Sequence, residues 1–196
     1  MTHKGTAGES QLQQLMASEA RAQRFYNKQM YDHLTNKMRG LIQSQEMVFV
    51  ATADKAGNCD CTPRFGPVGF VQVLDEKTLA FPEYRGNGVY ASLGNLHENP
   101  HIGLVFMDFF KSTVGLHVNG SATSYATAEL PTWLATCLAE VDQEQSGYTE
   151  RWVVISVDEA YIHCSKHVPL LKKKSKRMLW GSDSPEAKSE DFFVED

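Results

Sequence analysis

The sequence lacks any long apolar run. No stretch approaches the roughly 20 apolar residues that are needed to cross a bilayer, and the opening residues MTHKGTAGES lack the charged-then-apolar pattern of a signal peptide. We therefore expect a cytoplasmic protein with no membrane partner.

Cysteine is scarce, with four in 196 residues. One Cys-x-Cys pair would place both thiols on the same face of a strand, but no second pair follows at zinc-site spacing. We interpret the cysteines as free thiols and predict no metal site. The alternative left open is a metal site built from Cys59, Cys61, His163, Cys164 and His167.

Positive charge is also limited, because 19 Lys and Arg face 24 Asp and Glu, giving a net charge of -5. This balance argues against general affinity for nucleic acid. The short basic run Lys172–Arg177 is best interpreted as a solvated segment. A hydrophobic content of 42% and a charged content of 22% are typical of one globular domain with extensions.

The most informative stretch runs from Leu79 to Phe106, LAFPEYRGNGVYASLGNLHENPHIGLVF. It predicts a strand, a glycine-rich loop, a helix over Val89–His97 and a second strand. The loop combines an arginine with two glycines just before a helix N-terminus, where the helix dipole favours an anion. This pattern indicates a phosphate site, although an ordinary turn with a solvated Arg85 would look the same.

Two stretches resemble a known family: MVFVATADKAGNCDCTPRFGPVGFVQVLDEKTLAFPEYRGNGVYASLGNLHENPHIGLVF and VGLHVNGSATSY. They are similar to the flavin-nucleotide-binding split-barrel family related to pyridoxamine 5'-phosphate oxidase, over about Met47 to Tyr125. The resemblance implies a mainly β fold with helical additions, a six-stranded antiparallel split β-barrel. It also implies that FMN binds at a homodimer interface.

The segments around this stretch complete the predicted organisation: a helical extension over residues 1–45, a barrel over 46–168 and a tail over 169–196. Apolar residues at three- and four-residue steps predict an amphipathic helix from Glu9 to about Gln43, broken at most once. A second helix is predicted from Thr127 to Val141. The other predicted strands are Met47–Ala53, Cys59–Pro63, Phe70–Leu74, Ile102–Phe110, Val114–Ala126 and Arg151–Val157.

The resemblance also suggests which residues hold the cofactor. Arg64 stands where the family presents a phosphate-binding arginine, and Trp152 is a candidate to approach a flavin bound by the partner subunit. Each candidate has a plainer interpretation as a solvated surface residue. The full cofactor-binding set is Arg64, Arg85, Gly86, Asn87, Gly88, Ser92, Asn95, His117 and Asn119.

These observations predict an FMN-binding protein that oxidises or reduces an unidentified small molecule. No Gly-x-Ser-x-Gly, His-Glu-x-x-His or Walker sequence points to other chemistry, and no catalytic side chain is assigned. The C-terminal MLWGSDSPEAKSEDFFVED lacks the arginine and histidine that the family's true oxidases present there, so we do not expect a pyridoxamine 5'-phosphate oxidase. A related deazaflavin in place of FMN, a flavin-binding protein without turnover, and haem handling through His117, His163 or His167 remain open.

Overall fold

A computed structural model describes residues 5–144, 149–176, 178–180 and 182. Its helices are α1 (Ala7–Leu15), α2 (Glu19–Gln29), α3 (Asn36–Gln43), α4 (Ala91–Glu98) and α5 (Thr132–Glu144), with 3-10 turns at Thr127–Glu129 and Ser165–His167. Its strands are β1 (Met30–Tyr31), β2 (Met47–Ala53), β3 (Cys59–Phe65), β4 (Gln72–Val73), β5 (Thr78–Tyr84), β6 (His101–Met107), β7 (Gly115–Ala126) and β8 (Thr149–His163).

The strands form one antiparallel sheet in the order β3-β2-β6-β7-β8-β5-β4, and β1 pairs with β8 outside this path. Six of these strands have seven residues or more, as the prediction of a six-stranded split barrel requires. The two others are short additions of two residues each. The predicted fold class is therefore confirmed, with a slightly larger strand count.

Alternation along the strands separates a core face from an outer face. In β7, Leu116 and Val118 are buried while His117 and Asn119 are only partly covered. The core face contributes to one large cluster of buried apolar side chains, which includes Val48, Val50, Leu104, Leu116, Val118 and Ile155. This face also carries the site described below.

A second, smaller cluster lies under α5. Trp152 is fully buried there with Leu134 and Leu138. The expectation that Trp152 approaches a flavin in the partner subunit is therefore wrong, because its side chain is enclosed by its own subunit.

A bulge interrupts the pairing of β7 with β8 between Asn119 and Gly120. A Cβ atom at Gly120 would overlap the carbonyl oxygen of Ser156. The two strands approach each other this closely only because residue 120 has no side chain.

The predicted helix from Glu9 to Gln43 is instead three helices. A polar residue within it acts as a cap: the side chain of Thr35 accepts a hydrogen bond from the backbone N–H of Met38, and α3 begins there. Between α2 and α3 the chain extends, and Met30 and Tyr31 pair with β8. Sheet pairing and local capping therefore override the apolar periodicity.

Other boundaries differ for local reasons. Helix α4 begins at Ala91 rather than Val89 because Tyr90 is left-handed, with a φ of 56°. The predicted strand Phe70–Leu74 is reduced to Gln72–Val73. Strand β8 runs from Thr149 to His163, beyond the predicted Arg151–Val157 at both ends, because β7 pairs with it over almost its whole length.

Candidate functional site

A cavity of about 560 Å³ lies between β3, the loop that follows β5 and the first turn of α4. This volume falls within the roughly 300–1,000 Å³ of ligand pockets. Its lining is Asp60, Cys61, Thr62, Pro63, Arg64, Phe65, Glu83, Tyr84, Gly86, Asn87, Gly88, Val89, Tyr90, Ala91, Ser92 and Trp180.

Arg64 lies at the centre of the polar lining. Strand alternation puts it on the same face of β3 as Asp60 and Thr62, and all three are half-buried. The guanidinium donates from Nη1 to the hydroxyl of Thr62 at 3.0 Å and from Nη2 to the hydroxyl of Ser92 at 3.3 Å. It therefore connects β3 to the start of α4.

Glu83, at the end of β5, neutralises this arginine. Nε of Arg64 donates to Oε2 of Glu83 at 3.0 Å, and Nη2 lies 2.8 Å from Oε1. The hydroxyl of Ser92 in turn donates to Asp60 at 3.3 Å. The network therefore contains two carboxylates and one guanidinium: Glu83 contacts Arg64 directly, and Asp60 is linked to it through Ser92.

The glycine loop and the helix start provide backbone donors beside this network. Added Cβ atoms at Gly86 and Gly88 would meet nothing within 4 Å, so the loop backbone is open to a ligand. The side chain of Asn87 accepts from the N–H of Val89 at 3.0 Å and shapes the turn. Within the described part of the chain, no side chain caps α4 at Tyr90, so these residues leave the helix N-terminus open to an anion.

Aromatic side chains complete the walls. Burial raises the pKa of Tyr84 to about 12, so its phenol stays protonated at neutral pH. Tyr90 donates to the carboxylate of Glu150 at 3.1 Å, and this hydrogen bond is the main reason that the pKa of Tyr90 is raised. Trp180 lines the cavity from the C-terminal segment.

Two contacts direct that segment toward the cavity. The N–H of Leu171 donates to the carbonyl of Phe109 at 2.7 Å, and Lys173 forms an ion pair with Glu46. Glu46 directly precedes β2, the strand that pairs with β3. The chain is therefore held at two points before it reaches Trp180.

A model of the pyridoxamine 5'-phosphate oxidase family matches residues 34–164. The chain belongs to the pyridoxamine 5'-phosphate oxidase family. No curated protein matches it. No helix in the described part of the chain is long and apolar enough to span a membrane.

Solved structures agree on the fold. HupZ of Group A Streptococcus, in two crystal structures, shares 21% and 22% identity with TM-scores of 0.52 and 0.51, covering 66% of this chain and 99% and 93% of those chains. A candidate pyridoxamine 5'-phosphate oxidase from Lactobacillus delbrueckii subsp. shares 21% identity with a TM-score of 0.50, covering 67% of this chain and 95% of that one. At these identities the likeness shows the split-barrel fold alone.

Within this family fold, the nine predicted cofactor-binding residues fall into separate places. Five of them line the cavity: Arg64, Gly86, Asn87, Gly88 and Ser92. Arg85 lies on the exposed side of the same loop. Asn95, one turn further along α4, donates to the hydroxyl of buried Thr52 at 3.0 Å and so fixes the helix to β2.

His117 and Asn119 lie on the outer face of β7 and do not line this cavity. Nε2 of His117 is 2.9 Å from Nδ1 of His163, and the ring stacks on Tyr161 at 4.7 Å between centroids. Burial, with His163 as a second cause, lowers the pKa of His117 below its usual value. Asn119 donates to Glu159 at 2.8 Å and borders a separate cavity of about 430 Å³.

Sequence reasoning missed Glu83, Asp60, Tyr84, Tyr90 and Trp180. The period-two pattern of β3 could have revealed Asp60, since it shares a face with Arg64. No local pattern indicates that Glu83 meets Arg64 or that Trp180 reaches the cavity, because both contacts join distant parts of the chain.

The metal alternative gains no support from the geometry. All four cysteines are exposed free thiols. Across the described ranges, no group of three or more His, Cys, Asp or Glu side chains is placed to hold a metal ion.

Proposed function

We propose that the protein binds FMN, with the phosphate group at the Arg64 end of the cavity. The observation that carries this proposal is the meeting of Arg64, Ser92 and the uncapped start of α4 in one cavity. Guanidinium, hydroxyl and backbone N–H groups are the donors that proteins use for phosphate. Membership of the family supports the choice of FMN over other phosphorylated ligands.

The remaining residues of the cavity lining suit the rest of the FMN molecule. The aromatic rings of Tyr84, Tyr90 and Trp180 offer flat apolar surface to a flavin ring. When bound, FMN supplies the redox chemistry, and the protein's part is to bind, orient and shield it.

Glu83 sets a condition on this binding. A phosphate that approaches Arg64 meets the carboxylate that already binds the edge of the guanidinium formed by Nε and Nη2. Either Glu83 turns aside, or the phosphate shares Arg64 and relies more on the backbone of α4. The Ser92 hydroxyl can donate to the phosphate only by giving up its hydrogen bond to Asp60. In both cases the carboxylate reduces the affinity for a dianionic phosphate.

The proposed activity is oxidation or reduction of a small molecule on the bound flavin, with no catalytic side chain assigned. We propose that the substrate is not pyridoxamine 5'-phosphate. The sequence after Arg177 supports this proposal, because it contains no arginine or histidine. Most of these residues lie outside the described ranges. Among those described, Trp180 brings an aromatic ring to the cavity instead of a cation.

A homodimer is proposed as the functional unit. Strand β3 is at one end of the sheet order and, among the described residues, pairs only with β2; such an edge favours pairing or cover by a partner. Exposed Phe65 and Val89 beside the cavity provide apolar surface for that contact. Light scattering should give twice the chain mass, and a monomer at micromolar concentration with FMN bound would reject the dimer.

The visible spectrum of the purified protein tests the function. Flavin absorption bands support the proposal, a haem band supports the haem alternative, and a colourless protein that does not take up added FMN contradicts it. Reduction of the FMN-loaded protein by NADH or NADPH under anaerobic conditions then separates an oxidoreductase from a passive flavin binder.

The same spectrum settles the haem alternative, for which the structure offers the His117 and His163 pair. Their facing nitrogens are 2.9 Å apart and hydrogen-bond to each other. An iron ligand from this pair would have to break that bond.

A further inference from the structure

A second cavity, of about 850 Å³, lies on the other side of α4. Tyr90 lines both cavities, so the two sites are neighbours across one side chain. The second is lined by Tyr90, Leu93, Gly94, Leu96, His97, Pro100, Ala122, Thr123, Ser124, Glu150 and Arg151.

Arg151 is the unusual member of this lining. It shares the alternation of Val153 and Ile155, so it lies on the core face of β8 and is only partly exposed. Its Nε donates to the hydroxyl of Ser124 at 2.6 Å and its Nη2 to the carbonyl of Ser124 at 3.1 Å. Within the described ranges, no carboxylate forms an ion pair with it.

Arg151 differs from Arg64 in how its acidic neighbours are bound. Both arginines flank α4 from the core face of the sheet, but Glu83 neutralises Arg64. Glu83 also lies opposite Arg151 in the register of β5 and β8, but its carboxylate binds Arg64. Glu150, next to Arg151 in sequence, accepts a hydrogen bond from Tyr90. Within the described residues, Arg151 therefore keeps three of its five N–H donors unused, and a half-buried cation that forms no ion pair there favours an anionic ligand.

We propose that this second cavity binds a small organic acid, with its carboxylate on Arg151 and its apolar part against Leu93, Pro100 and Ala122. One arginine fork matches one carboxylate. Glu150 in the same lining disfavours a ligand with a second negative charge. Only the role of the acid rests on the proposed function: because it would lie one tyrosine away from the flavin, it would be the substrate of the proposed reaction.

The experiment measures binding of benzoate, benzamide and phenyl phosphate to the full chain by calorimetry, without FMN. Benzoate should bind saturably, and more tightly than its neutral isostere benzamide or the dianion phenyl phosphate. Arg151→Gln should weaken benzoate about ten- to hundredfold, as expected for a charge-assisted contact, and leave benzamide unchanged. Arg39→Gln, at a partly exposed position in α3, is the matched control.

Gly94→Phe provides a second test that leaves Arg151 in place. A Cβ atom there meets nothing within 4 Å, and Gly94 lines only this cavity of the two that flank α4. The phenyl ring should obstruct benzoate while circular dichroism stays that of the parent protein. The proposed site would be overturned if the parent protein does not bind benzoate, or if the parent, Arg151→Gln and Gly94→Phe bind it equally. FMN titrations of the same samples report on the proposed function separately.

Discussion

Glu83 binds Arg64 through both carboxylate oxygens, at 3.0 Å to Nε and 2.8 Å to Nη2. The arginine that the sequence assigns to a phosphate is thus already neutralised by a carboxylate of the same chain. Phosphate binding at this place is a competition between two anions for one guanidinium.

Removing the competing charge should strengthen FMN binding. Glu83→Gln keeps the shape of the side chain but frees the guanidinium for phosphate, and we expect an affinity about tenfold higher, which corresponds to about 1.4 kcal/mol. Quenching of flavin fluorescence on titration measures it. Glu76 precedes the first residue of β5, at the end of the strand away from the cavity. Glu76→Gln removes the same charge there and should leave the FMN affinity unchanged. A weaker FMN complex in Glu83→Gln would show that Glu83 supports the site rather than competing in it.

Trp180 should contribute to flavin binding. Truncation of one aromatic wall typically costs about 0.5–1.5 kcal/mol of ring contact, so Trp180→Ala should weaken FMN binding about two- to tenfold. Trp133→Ala is the control, because Trp133 is 54% exposed on α5 and does not line the cavity. Equal affinities in the two variants would show that the C-terminal segment has no part in the site.

Much of this architecture follows from the sequence, because strand alternation and turn residues act locally. The alternation in β7 correctly separates Leu116 and Val118 from His117 and Asn119. The glycine loop before α4 was likewise visible, although Tyr90 shortens the helix. These features depend on residues that are near neighbours in the chain.

The remainder depends on contacts between distant residues. Arg64 and Glu83 are 19 residues apart, on strands β3 and β5 that are not neighbours in the sheet order, so they meet only because the sheet curves back on itself. The absence of an ion pair at Arg151 among the described residues is equally invisible in the sequence, since it depends on Glu83 binding Arg64 and on Glu150 accepting from Tyr90. A sequence pattern can name a cation but not its counterion.

His117 should make stability depend on pH. Burial and His163 lower its pKa in the folded chain below the usual 6.5, so the unfolded chain takes up the proton first as the pH falls. Stability should therefore decrease from about pH 7 downward, over the window between the two pKa values. His117→Gln should show a smaller drop in melting temperature between about pH 7.5 and pH 5.5, whereas His101→Gln, at an exposed position, should follow the parent. An identical pH profile for both variants would contradict this assignment.

Gly120 should tolerate no side chain. A Cβ atom at this bulge overlaps the carbonyl oxygen of Ser156, so Gly120→Ala must shift backbone and should cost about 1–3 kcal/mol of unfolding free energy. In α3, Gly40→Ala adds the same methyl group where nothing lies within 4 Å and should stabilise by about 0.5–1 kcal/mol. Urea denaturation compares them, and equal free energies of unfolding would contradict the register of β7 and β8.

The central claim is that the cavity at Arg64 recognises the phosphate of FMN. Riboflavin carries the same ring without the phosphate, so the ratio of the two affinities isolates that contact in titrations followed by flavin fluorescence. The parent protein should bind FMN at least tenfold more tightly than riboflavin, and Arg64→Gln should lose most of that preference while its riboflavin affinity stays the same, since one charge-assisted contact contributes about 1.5–3 kcal/mol. A parent protein that binds both flavins equally, or an Arg64→Gln variant that keeps the full preference, would contradict the account.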